Sequence, residues 1–130
     1  MNKKILITAS SLGLIAIILG AYGAHGLKPK LSPDQFDSLQ TGVTYQMYHA
    51  LFLLFLGGSI KVSPKLKQKV FYLIFFGVLC FSGSIYLLST NDLSPINFKF
   101  IWFITPLGGL LLILGWVFLL FGFFKLKETR

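Results

Sequence analysis

The chain has 130 residues, 55% hydrophobic and only 12% charged, with a mean hydropathy of +0.76. That is one domain's worth of chain with too few charges to clothe a soluble surface, so a membrane protein is the expected class. Twelve Lys and Arg against four Asp and Glu give a net charge of +8, but the lysines sit between apolar runs rather than along one face, which argues for membrane topology and against a nucleic-acid partner. The single cysteine, Cys80, excludes an internal disulfide.

Residues 5–24 carry no charge over about 20 positions, enough to cross a bilayer core as a helix. Lys3, Lys4 and the small residues around Tyr22 would also suit a signal peptide, but the apolar stretch is long for one. Ala9, Gly13, Ala16, Gly20 and Gly23 follow at steps of three and four, a shallow stripe that lets another helix approach closely. Gly26 and Pro29 predict a break over residues 25–31. Ser32-Pro33-Asp34-Gln35 predicts a helix start, with Ser32 at N-cap, Pro33 at N1 and Gln35 closing a capping box at N3. Asp34 and Asp37 favour the positive end of that helix.

Phe36, Leu39, Val43 and Met47 make the first turns amphipathic, and the helix can run to about Ile60. At about 40 Å it exceeds a bilayer core, so a short amphipathic lead-in is expected before a second span at residues 41–60, with Gly42 the place for a bend. Residues 61–69 are expected to form a lysine-rich loop, and residues 70–89 a third span with Gly77, Gly83 and Ser84 as small packing residues. A polar loop at 90–98 precedes a fourth span at 99–124. Trp102 marks its interface, and Pro106 should kink it or end a first turn. Gly108, Gly115 and Gly122 recur every seven residues, a seam suited to close antiparallel packing.

Nine Lys and Arg fall in the N-terminal segment, the 61–69 loop and the tail; three (Lys28, Lys30, Lys99) fall in the other connections. The positive-inside rule then puts both termini in the cytoplasm. The expected fold is an all-α membrane protein, one domain over residues 1–130, with four transmembrane helices in an up-down bundle.

Helical rise gives depth. His49 lies about 18 Å and Gln46 about 22 Å above Lys61, while Ser84 lies about 22 Å above Lys69. Tyr45, Gln46, His49, Ser82, Ser84 and Thr105 thus gather in the outer half, with His25 above them at the rim. An ionisable residue inside a span is a functional candidate, yet a neutral imidazole or an amide can equally serve as interhelical glue. For His49 and Gln46 both readings stand. His25 can serve as a cap on helix-end carbonyls, and Tyr22, Tyr45 and Tyr48 as packing aromatics.

Two His and one Cys fall short of a structural zinc site. A depth difference of about 13 Å separates the two histidines too far for one haem. No carboxylate lies within the spans to orient an imidazole as a triad requires. Neither a metal, a cofactor nor catalysis is expected.

Four stretches carry a resemblance. Gly20-Ala21-Tyr22-Gly23-Ala24-His25-Gly26-Leu27-Lys28, Tyr45-Gln46-Met47-Tyr48-His49-Ala50-Leu51, Phe81-Ser82-Gly83-Ser84-Ile85-Tyr86, and Thr105-Pro106-Leu107-Gly108-Gly109 through Gly115-Trp116 resemble successive motifs of the YgdD/YwdK-like family of small bacterial inner-membrane proteins. The resemblance covers nearly the whole chain and implies four membrane helices and a bacterial cytoplasmic-membrane home. It implies no reaction, substrate or cofactor.

The expected activity is non-enzymatic: binding a lipid or small amphiphile, or docking membrane partners, through an outward-facing polar pocket. Membrane lipids, a second copy of the chain or other membrane proteins are the expected partners. The alternative is a small oligomeric transporter or channel with His49 as proton relay.

Overall fold

A computed structural model describes residues 2–127. Every regular element among them is helical. Helix α1 (Asn2–Tyr22) continues through a π turn (Gly23–Leu27) and a 3-10 turn (Lys28–Lys30); α2 (Pro33–Gly58), α3 (Pro64–Ser89) and α4 (Ile104–Phe124) follow. Two further 3-10 turns, Asn91–Leu93 and Lys99–Ile101, lie between α3 and α4.

The expected break at residues 25–31 is instead a change of helical pitch. The Lys28 N–H donates to the Gly23 carbonyl, five residues back, which widens the turn. A Cβ on Gly26 would come within 3.1 Å of the Tyr22 ring, so the wide turn lies close over that aromatic. Pro29 brings no N–H to continue the ladder, and the chain turns extended at Leu31 (φ −113°, ψ 150°).

The capping box at the start of α2 forms: Ser32 Oγ accepts from the Gln35 N–H at 3.1 Å, and Gln35 Oε1 accepts from the Ser32 N–H at 2.9 Å. From there α2 runs through Gly42 to Gly58 as one helix. The same chemistry starts α3 earlier than expected. Ser63 Oγ accepts from the Leu66 N–H and Pro64 takes N1, so residues 64–69 are helix rather than loop. At α4, Pro106 falls in the first turn, where its missing N–H is not needed.

Three helical stretches are long and apolar enough to cross a membrane: Asn2–Lys30, Pro64–Ser89 and Lys99–Phe124. Helix α2 matches α3 at 26 residues but is not among them. Its middle carries Gln46 and His49, and both are buried.

Chain neighbours pack on one another, α1 on α2, α2 on α3 and α3 on α4, whereas α1 and α4 form no such pair. The pairs are antiparallel, as their glycines record. On α1 and α2, Gly13 faces Ala50, Gly20 faces Val43 and Gly23 faces Leu39. On α3 and α4, Gly77 faces Leu112, Gly115 faces Ile74 and Gly122 faces Leu66. Gly108 lies against the backbone of Cys80 and Phe81, where a Cβ would collide with the Phe81 amide nitrogen.

Lipid tails are as apolar as leucine, so close backbone approach and interhelical hydrogen bonds hold such helices together more than burial does. Ile5, Leu53, Leu56, Val70, Phe71 and Ile74 fill the core toward the end that carries the chain termini. There Lys67 turns inward, and its ammonium donates to the Ser59 carbonyl at 2.7 Å and to Asn2 Oδ1 at 3.0 Å. A cation at the last carbonyls of α2 also meets the negative end of that helix. Leu14, Ile17, Phe55, Phe76, Ile113 and Leu120 point outward.

Candidate functional site

The polar side chains of the helix interior form a bonded layer. Gln46, on α2, reaches both neighbouring helices: its amide NH₂ donates to the Leu12 carbonyl of α1 at 2.8 Å, and its Oε1 accepts from the Tyr86 hydroxyl of α3 at 2.6 Å. One turn away, Ser82 Oγ of α3 donates to the Gly42 carbonyl at 2.7 Å. Gly42 makes that approach achievable, because a Cβ there would come 2.8 Å from the Tyr86 ring.

His49 lies one turn further along α2, bonded at both ring nitrogens. Its Nδ1 is 2.7 Å from the Tyr45 carbonyl, and the Trp116 indole N–H of α4 points at its Nε2 from 3.1 Å. A carbonyl only accepts and an indole only donates, so Nδ1 carries the proton and Nε2 is the acceptor. The imidazole is therefore held as the neutral Nδ1–H tautomer. Trp116 is fixed in turn by Phe52, whose ring lies edge-on with centroids 4.5 Å apart.

Ser84 and Thr105 hydrogen-bond to each other between α3 and α4, and Ser84 Oγ also donates to the Phe81 carbonyl at 3.1 Å. Tyr45 packs its ring on Phe81 at 5.2 Å and stays largely exposed. His25 stands apart, exposed on the π turn and joined to none of these bonds.

Gln46, His49, Ser82, Ser84 and Thr105 thus tie α2 to its neighbours and α3 to α4 as separate pairs. None of the five borders the clefts between α1 and α2 or between α3 and α4. Among the described residues no buried side-chain nitrogen or oxygen lacks a partner. None of the described residues form a group of three or more His, Cys, Asp or Glu able to hold a metal ion. The space that Gly20 and Gly23 leave is elsewhere, a cleft of about 270 Å³ between α1 and α2 bordered by Leu39, Gln40, Val43 and Thr44.

Tyr86, Trp116 and the Leu12 carbonyl complete the layer without having been singled out as site members from the sequence. A signal for the first two existed. An aromatic with a polar handle, placed within a span, must find an acceptor for its O–H or N–H.

Antiparallel apolar helices cross-linked by buried polar pairs define a small helical membrane protein. The chain belongs to the family described as "Protein of unknown function (DUF423)", whose model matches residues 19–109. Among its relatives, a UPF0382 membrane protein of Staphylococcus saprophyticus is 39% identical over 95% of this chain and 99% of its own length. UPF0382 membrane protein YwdK of Bacillus subtilis is 37% identical over 88% of this chain and 91% of its own. UPF0382 inner membrane protein YgdD of Escherichia coli is 33% identical over 98% and 94%. No solved structure matches. The matched region contains Gln46, His49 and Tyr86; Trp116 lies beyond its end.

Proposed function

We propose that the chain is a non-enzymatic, four-span protein of the bacterial cytoplasmic membrane, with both termini inside, that binds an amphiphilic lipid at its surface. What carries the non-enzymatic reading is the state of His49. Both of its ring nitrogens are committed to protein partners, and the polar groups around it are likewise matched. A reactive site or a proton relay needs a group free to exchange a proton or meet a substrate. The polar layer holds helices instead, and ligand recognition falls to the outer surface and its clefts.

Helix α2 fits a fourth span because the polar residues at its middle are sheltered. Gln46 and His49 face protein, not lipid, and at 1.5 Å per residue its 26 residues reach about 39 Å. The lysine distribution orients the bundle.

Native mass spectrometry of the gently solubilised protein tests the function. The expected result is lipid retained by wild type and by His49→Ala alike, with the variant melting earlier. A wild type that carries no lipid would overturn lipid binding. A His49→Ala variant that loses its lipid while melting as wild type does would return the site to His49.

A further inference from the structure

We propose that the groove between α3 and α4, at the end carrying the chain termini, is a binding site for an anionic phospholipid, its lysines holding the phosphate headgroup and its apolar floor the acyl chains. The inference presupposes the lipid binding proposed above and names the ligand class and the site.

The groove has two continuous parts that share Lys65, Lys69 and Phe118. The upper part, about 530 Å³, is bordered by Lys61, Lys65 and Lys69 on one wall and by Lys125 and Lys127 on the other. The lower part, about 900 Å³, descends between Leu73, Phe76, Leu111 and Phe118. The lysines gather at one end of the groove, and beyond Lys69 its α3 wall continues as Tyr72, Leu73 and Phe76 against Leu111 of α4, the order of headgroup and tails in a lipid.

Three features select this occupant. The first is charge. Lys65 and Lys69, one turn apart on α3, are both exposed, while Lys67 between them is turned inward and bonded to Ser59 and Asn2. Like charges at that spacing repel one another, and an anion bound between them relieves the repulsion. Among the described residues the carboxylates, Asp34, Asp37 and Asp92, all lie at the opposite end of the molecule.

The second is depth. From Lys65 to Phe76 the groove follows α3 for about 16 Å at 1.5 Å per residue, close to half of a hydrocarbon core about 30 Å thick. That is the depth of one leaflet. The third is side. By the lysine count this end faces the cytoplasm, where anionic lipids attract basic clusters near the membrane surface.

The test uses the full chain in nanodiscs of phosphatidylcholine with a minor fraction of phosphatidylglycerol, and native mass spectrometry reads the lipids that stay bound on release. Wild type is expected to enrich phosphatidylglycerol by at least about tenfold over its share of the disc, the scale set by two or more lysines near a membrane surface. Lys65→Gln/Lys69→Gln is expected to abolish the enrichment, as is Lys125→Gln/Lys127→Gln on the facing wall. Lys3→Gln/Lys30→Gln, which removes the same charge outside the groove, is expected to keep it. Leu111→Trp, which fills the apolar floor and leaves every lysine, is expected to lower it.

All seven substituted positions are exposed or partly exposed, and melting curves matching wild type establish that the four variants fold. Equal loss in the Lys3/Lys30 variant would overturn the site in favour of diffuse charge attraction. Full enrichment in Leu111→Trp would overturn the placement of the acyl chains. Retention of phosphatidylcholine without preference would overturn the anionic site and leave lipid binding standing, whereas no retained lipid at all would overturn both.

Discussion

His49 shows how a residue that looks chemically poised in a sequence can be structurally committed. Protonating its Nε2 would displace the Trp116 N–H and put a charge among Phe52, Trp116 and Tyr45, so the neutral ring is the one this packing accommodates. Trp116→Phe removes the donor together with part of the ring. The variant should lose at least about 0.6–1.7 kcal/mol, the range of single interhelical hydrogen bonds in membranes, measured as a shift in reversible unfolding in mild detergent. Acid influx into proteoliposomes should be the same for wild type and His49→Ala; a His49-dependent flux would restore the relay. Gln46 and Tyr86 make a second local case. Their double-mutant cycle, Gln46→Leu with Tyr86→Phe, should show coupling of about 0.6 kcal/mol or more, and additive effects would mean the bond adds nothing.

That His49 and Gln46 matter was legible from their place in an apolar run; their partners were not. Helix α4 is apolar nearly all round, so composition marks no face toward α2. Nothing in the sequence says that Trp116 turns to α2 while Trp102 stays outside.

At the scale of the helices, glycines divide into those that permit contact and those that merely accompany it. Gly108 opposes backbone atoms of α3, which cannot swing aside as a side chain can. Gly108→Ala should push α3 and α4 apart and destabilise the protein by about 1–3 kcal/mol. Gly13 opposes the Ala50 Cβ at an ordinary 3.7 Å, so Gly13→Ala should be neutral or stabilise by up to about 1 kcal/mol through helix propensity. Thermal melting of the two variants side by side distinguishes these effects; equal melting would mean the seam is not tight.

The seven-residue spacing of Gly108, Gly115 and Gly122 was readable because antiparallel helices in close contact repeat at that interval. The start of α2 was readable from Ser32 and Gln35. The start of α3 used the same Ser-Pro pair at Ser63 and Pro64, but four lysines close by resembled a loop. In the fold Lys65 and Lys69 stay exposed and Lys67 turns inward onto Ser59 and Asn2, so the lysines do not oppose a helix there. The π turn was hidden for a different reason. Glycine and proline announce that an α-helix ends, without saying whether a looser helix follows.

For the whole molecule, the proposed crossing of α2 predicts which connections can be reached from each side of the membrane. In a Cys80→Ser background, a cysteine at Ile60 should be shielded from a membrane-impermeant maleimide in intact cells, and one at Ile96 should label. Both positions are exposed in the fold. If α2 stayed on one side, the pattern would invert, with Ile60→Cys labelled and Ile96→Cys protected. The helical class and membrane character were visible in composition, and the antiparallel pairing of chain neighbours followed from their short connections. The lateral arrangement was not visible, because the rotation of each helix about its axis depends on contacts between side chains far apart in sequence.

One feature of that arrangement bears on how the protein is made. Because each helix packs on the one before it and α1 and α4 form no such pair, the first and last helices do not have to find each other at the end of synthesis. Each new helix leaving the translocon meets a surface that is already in place, so the order of translation can also be the order of assembly. Gln46 finds the Leu12 carbonyl as soon as the first hairpin forms, and Tyr86 when the third helix arrives. His49 keeps an unmatched Nε2 until Trp116 comes in with the fourth, so a nascent chain stalled before α4 would expose a polar group to lipid and give membrane quality control something to recognise.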